Sequence, residues 1–286
     1  MKKLLLLILV SSSAALFAQQ KTFDYAYMNK MSISVYSFAD KKEYPVVSSA
    51  MNPAISPDGK KLAYTAMLKN GDRVINVIDL STKKKIKLNA NSNNCYGPVW
   101  SPDGKHIAYS VFENSKSNWS IAVIDTNNMK PVIITGKIKE GFMPAWCNGG
   151  KSIAIHDMDK LYVIDMAGNI NKTIDLKDFK LSMGTSSADG FVFTADNKHI
   201  IYTTSVDEGG RDDGPPSALF CYDAATKTIK RLSPKGYMAN QFAVKGNSVL
   251  FSGSKLNARV SNIYSVNIDG SNFKVLIPGR HDISVR

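Results

Sequence analysis

Ile55-Ser56-Pro57-Asp58-Gly59-Lys60-Lys61-Leu62-Ala63-Tyr64 and Trp100-Ser101-Pro102-Asp103-Gly104-Lys105-His106-Ile107-Ala108-Tyr109 are two copies of one phrase. An apolar or aromatic residue ends a strand. Proline presets the backbone for the second position of a turn, and aspartate followed by glycine supplies local hydrogen bonds and tolerance of left-handed geometry. A second strand then begins at once. Three weaker copies follow at Trp146 to Ile155, Phe193 to Tyr202 and Phe242 to Phe251, and the sixth residue of the phrase falls at 60, 105, 151, 198 and 247. A spacing of 45 to 49 residues is that of a repeated supersecondary unit.

Working outward from each turn, a third strand ends in aspartate at Asp79, Asp125, Asp165 and Asp223, with Asn267 as the last variant. A short fourth strand closes the unit, as at Lys84 to Leu88, Pro131 to Thr135 and Thr228 to Leu232. Four short antiparallel strands in such a unit make one propeller blade. Helical periodicity is scarcely present, because the apolar residues alternate or form short β-branched runs. The ends supply a sixth unit: Phe23 to Met28, Ser32 to Phe38 and Glu43 to Val47 read as second, third and fourth strands, and His281 to Arg286 as the missing first. The chain is therefore expected to be an all-β, six-bladed β-propeller closed by its N- and C-terminal strands, which leaves no open edge.

The repeat resembles the propeller units of the TolB-like family. The residues that carry the likeness are the Ser-Pro-Asp-Gly-Lys turns at 56 to 60 and 101 to 105, their weaker copies at 147 to 151 and 194 to 198, and the strand-ending aspartates Asp79, Asp125 and Asp165. The resemblance spans residues 19 to 286 and implies periplasmic residence and protein binding by a rigid ring, without catalytic residues. Family members with an α/β domain ahead of the propeller differ from this chain, where no room for one precedes Phe23, so a direct role in the Tol-Pal system is not implied.

Residues 1 to 18 read as a secretory signal peptide: Lys2 and Lys3, an apolar run from Leu4 to Val10, then small residues through Ala18. Leu16 is large for the position three before the cut. No cysteine follows directly, which argues against a lipid anchor. No later apolar run approaches a membrane span, so a Gram-negative periplasm is the expected destination. The formal charge of +12 falls to +10 when Lys2 and Lys3 leave, and the remaining lysines are scattered, which argues against nucleic acid and for solvated strand edges. Cys95, Cys147 and Cys221 are odd in number and widely spaced, so they read as buried thiols, not as a disulfide framework or zinc site.

Function is sought in the loops that join strand two to strand three, and one blade to the next, since these share the face opposite the Ser-Pro-Asp-Gly turns. The longest is Asp207-Glu208-Gly209-Gly210-Arg211-Asp212-Asp213-Gly214-Pro215-Pro216. Three readings stand for it: a solvated acidic loop, a partner contact, or a calcium site built from carboxylate oxygens, although its spacing does not match the helix-loop-helix calcium motif. Trp119, after the polar Glu113 to Asn118 stretch, is either core or a surface anchor. His156 stands where sister repeats carry Thr65, Ser110, Thr203 and Ser252. With Asp157 it forms either a channel-side acid-base pair or a hydrogen-bonded structural histidine. His106 and His199 share one repeat position and read as strand-edge residues, and Trp100, Trp146, Phe193 and Phe242 read as core between blades. No nucleophile elbow or glycine-rich phosphate loop is present. The expected role is thus a non-catalytic scaffold binding an envelope or outer-membrane-associated protein. A carbohydrate-active lyase or hydrolase in the channel and a small-ligand or calcium sensor stand as alternatives.

Overall fold

Six four-stranded antiparallel sheets radiate around a central channel in the computed structural model, which describes residues 21–88, 94–181, 183–209 and 214–286. Residues 1–18, read above as the signal peptide, lie outside the described residues. The innermost strands, one per blade, are His281–Val285, Ala50–Ile55, Cys95–Trp100, Phe142–Cys147, Phe191–Phe193 and Tyr237–Lys245. Blade 1 takes its inner strand from the C-terminus and its other three, Tyr25–Asn29, Ser32–Ser37 and Lys42–Ser48, from the N-terminus. Among the described residues, the only helical elements are two short 3-10 turns.

Six clusters of buried apolar side chains hold the ring, one at each junction between blades. The strand pattern dictates this, since a blade flanked on both sides needs apolar residues on both faces and reads as near-continuous apolar runs. Tyr25, Tyr27, Leu250, Ile263 and Ile283 fill the closing junction. Indole N–H groups add a directional tie: Trp100 Nε1 donates to the Ala54 carbonyl at 2.9 Å, and Trp146 Nε1 to that of Val99 at 3.1 Å.

Each repeated turn is locked by its own polar side chains. Ser56 Oγ donates to Asp58 Oδ1 at 2.6 Å and accepts from Lys61 N at 2.9 Å, while Asp58 Oδ1 accepts from Lys60 N at 3.0 Å. Ser101 with Asp103, and Thr194 with Asp196, repeat the arrangement. Gly59 and Gly104 hold φ of 69° and 71°, and Asn197 takes the same left-handed place at 58°. In blade 4, Cys147 replaces the hydroxyl and caps nothing through its side chain.

The fifth copy of the phrase is displaced from its expected register. Val244, not Phe242, pairs with Val249 and so occupies the place of Ile55 and Trp100, because the blade 6 hairpin turns in two fewer residues at Gly246-Asn247. Phe242 pairs with Phe251 one pleat further along the strand; the two-residue shift keeps it on the same face.

The strand-ending aspartates close the hairpin between strands three and four. Asp79 Oδ1 accepts from Thr82 N at 2.8 Å and Ser81 N at 3.0 Å; Asp125, Asp165 and Asp223 do likewise one blade after another. The Thr82 amide foremost, against a burial effect in the other direction, pulls the Asp79 carboxyl down to about 2. Its folded value lies below the unfolded one, so its contribution to stability is complete above about pH 4 and disappears as pH falls towards 2. Asp79→Ala is accordingly expected to lower the melting temperature at neutral pH, with a deficit that shrinks through this acid window. A deficit that persists undiminished in acid contradicts the assignment.

Candidate functional site

The two faces of the ring differ in what they expose. One carries the Ser-Pro-Asp-Gly and Asp-capped turns, and the other carries the two-to-three loops and the connections between blades. On this loop face stand Met31, Met67, Leu68, Met158, Met183 and Val260, half of the large apolar side chains that stay exposed among the described residues. The turn face has Phe38 and Met166, and the remainder sit on the outermost strands.

Trp119 belongs to the loop face. It opens the strand Asn118–Asp125, half-buried, with its ring edge-on to Tyr96 at 5.1 Å and Phe112 at 5.2 Å. The Arg73 guanidinium lies 4.8 Å from the Tyr96 ring and 5.7 Å from the Trp119 ring, and both Nε and Nη2 of Arg73 donate to Asn94 Oδ1. Trp119 is therefore part of a packed cluster that still reaches the surface, where a flat aromatic and an oriented cation are available together.

Of the long acidic loop, Arg211, Asp212 and Asp213 lie outside the described residues. Asp207 is exposed. Glu208 is committed to internal contacts: its carboxylate receives both Nη atoms of Arg231, one of them at 2.9 Å, and Gly236 N at 3.2 Å. The Arg231 hydrogen bond, ahead of burial, holds the Glu208 carboxyl below its usual range. The pair fixes the loop base to the outer strand of blade 5, which leaves Glu208 a weak candidate for a calcium ligand. Among the described residues no group of three or more His, Cys, Asp or Glu side chains converges as metal ligands do.

His156 and Asp157 are neighbours in sequence with separate surroundings. His156 ends the second strand of blade 4, fully buried, its ring 5.3 Å from Phe191 and 5.8 Å from Phe142. Its Nδ1 accepts from Met158 N at 3.2 Å, which leaves any proton on Nε2, and burial lowers its pKa to about 4, so it is neutral at physiological pH. Asp157 turns the other way, accepting from Asp159 N, Lys160 N and Tyr162 Oη at 3.0, 2.8 and 2.7 Å, so that it closes a hairpin. His156 lies behind the channel wall because its repeat position faces the adjoining blade, as Thr65 shows by accepting from Gly97 N at 3.3 Å. His106 and His199 face the strand-ending Asp125 and Asp223 at 3.9 and 3.5 Å, as the shared repeat position implies.

The channel encloses about 780 Å³ and is walled mainly by the inner strands, with Pro53, Pro98, Pro144, Trp100, Trp146 and Phe242 giving it an apolar character. Among the described residues, the ionisable ones that line it are Asp189 and Arg286. Arg286 is tied to Asp24 Oδ1 through Nε at 3.0 Å and Nη2 at 2.6 Å. Asp189 was invisible in the sequence, because it lies in the blade 4 to blade 5 connection, outside every copy of the repeat.

Comparison with solved structures places this geometry. TolB from Acinetobacter baumannii matches with a TM-score of 0.64 at 19% identity, over 92% of this chain and 65% of that one. A putative TolB from Agrobacterium tumefaciens matches with a TM-score of 0.65 at 16% identity, over 93% and 94% of the two chains. The fold is the TolB-like six-bladed propeller. A likeness in fold extends to other proteins: an oligogalacturonate lyase in complex with manganese matches at a TM-score of 0.53 and 12% identity, over 86% of this chain and 70% of that one. No protein-family model and no curated protein matches the sequence. This TolB-like ring spans about two thirds of the Acinetobacter chain and nearly all of the Agrobacterium one. Among the described residues no helix is long and apolar enough to cross a membrane.

Proposed function

We propose that this TolB-like propeller is a non-catalytic periplasmic scaffold that binds another cell-envelope protein through its loop face. The observation that carries the reading is the uneven distribution of exposed apolar side chains, with Met31, Met67, Leu68, Met158, Met183 and Val260 on one face of the ring. Methionine is flexible and polarisable, and it suits a surface that must adapt to a partner. Trp119, oriented by Tyr96, Phe112 and Arg73, adds an aromatic anchor of the type that dominates interface energetics. The amino-terminal export signature and the likeness to TolB proteins support an envelope location.

A photo-crosslinking residue placed at Met67 or Met158 tests the reading in cells. It is expected to trap one protein partner in near-stoichiometric yield, and Trp119→Ala is expected to weaken capture by about ten-fold or more, the effect of losing a central aromatic anchor. Recovery without any stoichiometric partner contradicts it.

A further inference from the structure

The channel is not equally walled on all sides. In blade 5 the inner strand is only Phe191–Phe193, because the preceding residues fold into a turn: Asp189 N donates to the Ser186 carbonyl at 3.1 Å, and Asp189 Oδ2 accepts from Ser186 N at 2.7 Å. At the other five junctions consecutive inner strands pack on each other, whereas here the inner strand of blade 6 packs on the second and third strands of blade 5, His199–Ser205 and Ser217–Asp223, in place of Phe191–Phe193. Behind the shortened strand the channel widens into an alcove. There Thr203, Ser205 and Ser217 line it, although they belong to the second and third strands, which elsewhere in the ring contribute nothing to the lining. Ser205 and Ser217 are directly paired across the two strands, and Thr203 shares their face two residues earlier.

Asp189 lines this alcove and is 7% exposed. Burial raises its pKa, and hydrogen bonds from Ser186 offset that only in part. His156, beside the Asp189 backbone, is held neutral by burial, and Arg286 is engaged with Asp24. A carboxylate kept in an apolar channel is costly unless a counter-ion and hydrogen bonds meet it. Phe191 pairs with Tyr202, so the segment that carries Asp189 runs beside Thr203, and a carboxylate and several hydroxyls share this stretch of the channel wall. Together they offer what a primary ammonium needs: one charge and several oxygen acceptors for its three N–H donors. The proline and aromatic walls would take the attached aliphatic chain.

We propose that the blade 5 alcove binds a primary ammonium group, with Asp189 as counter-ion and the Thr203, Ser205 and Ser217 hydroxyls as acceptors. The ammonium belongs either to a small free amine or to a lysine side chain. The proposal is independent of the loop-face reading, since it concerns the channel wall.

Titration calorimetry on the whole exported chain tests it with n-butylammonium chloride and acetyl-glycyl-lysyl-glycinamide. The controls are n-butanol and the norleucine counterpart of the peptide. Saturable binding of an ammonium probe, absent for its uncharged control, is expected; tighter binding of butylammonium points to a free amine, and of the peptide to a lysine side chain. Asp189→Asn retains an acceptor for Ser186 N–H and is expected to weaken binding about ten-fold or more, the scale of a charge-assisted bond. Ser217→Ala, away from that turn, is expected to weaken it several-fold and provides the reading should the first variant fail to fold. Equal binding of the uncharged controls, unchanged affinity in both variants, or no saturable binding of either ammonium probe overturns the proposal. So does calcium chloride alone binding in an Asp189-dependent way while neither amine binds.

Discussion

Removing residues 281–286 is expected to lower the melting temperature by about 10–20 °C, corresponding to roughly 5 kcal/mol in a chain of this size. The segment is short, but it is the entire inner strand of blade 1. His281, Ser284 and Val285 pair with Met28, Ala26 and Tyr25, and Ile283 fills the closing junction beside Tyr27, Leu250 and Ile263. Its last residue clasps the first strand, as Arg286 meets Asp24 through two hydrogen bonds. Burial alone pushes the Asp24 carboxyl up, yet the Phe38 amide and then the Arg286 guanidinium outweigh it and leave the group below its usual range. Ser284 Oγ also accepts from Ile55 N at 3.0 Å, which links the strand forward to blade 2. Truncation would thus expose an apolar junction and free an edge strand, a surface prone to pairing with other chains. A truncated protein that melts at the parental temperature, by circular dichroism, contradicts the closure.

Gly59→Ala is expected to cost about 3–5 kcal/mol and Gly104→Ala only about 1–2 kcal/mol, although both replace the same residue of the same turn. The left-handed φ, 69° and 71°, penalises both alike. The difference is the neighbour. A Cβ on Gly59 would lie 2.4 Å from the Phe23 carbonyl oxygen and 2.9 Å from Phe23 N, whereas one on Gly104 meets only Pro57 Cδ at 3.7 Å. Phe23 N donates to the Gly59 carbonyl at 2.9 Å, so the turn of blade 2 is stapled to the start of blade 1, and the backbone cannot retreat without opening that tie. Denaturant unfolding of the two variants measures the gap. Equal losses would mean that the close approach carries no energy.

The propeller was legible because its turns are spelled out in side chains that cap themselves. Ser56 with Asp58 and Ser101 with Asp103 make the same bonds in the same places, so a spacing rule read them correctly. The closure was legible from the three-strand remnant at one end and the one-strand remnant at the other. The displaced fifth copy was not, because a two-residue hairpin at Gly246-Asn247 keeps the apolar alternation in phase and hides the missing residues. The site was harder still. His156 stood out as the one imidazole among hydroxyls, but whether that position faces the channel or the next blade depends on the packing of two blades, which no local pattern encodes. Asp189 carried no signal, since its importance comes from a strand that ends early and a wall that opens behind it. Glu208 looked like a surface carboxylate until Arg231, 23 residues away, claimed it.

The proposed scaffold role makes the loop face of this ring its working surface. Site-specific photo-crosslinking in cells, with the reactive residue at Met67, Met158 or Val260 on that face and at Phe38 or Met166 on the turn face, tests it most directly. One and the same protein adduct is expected from the loop-face positions and none from the turn-face positions. Adducts of equal yield from both faces, or from the turn face alone, would contradict it.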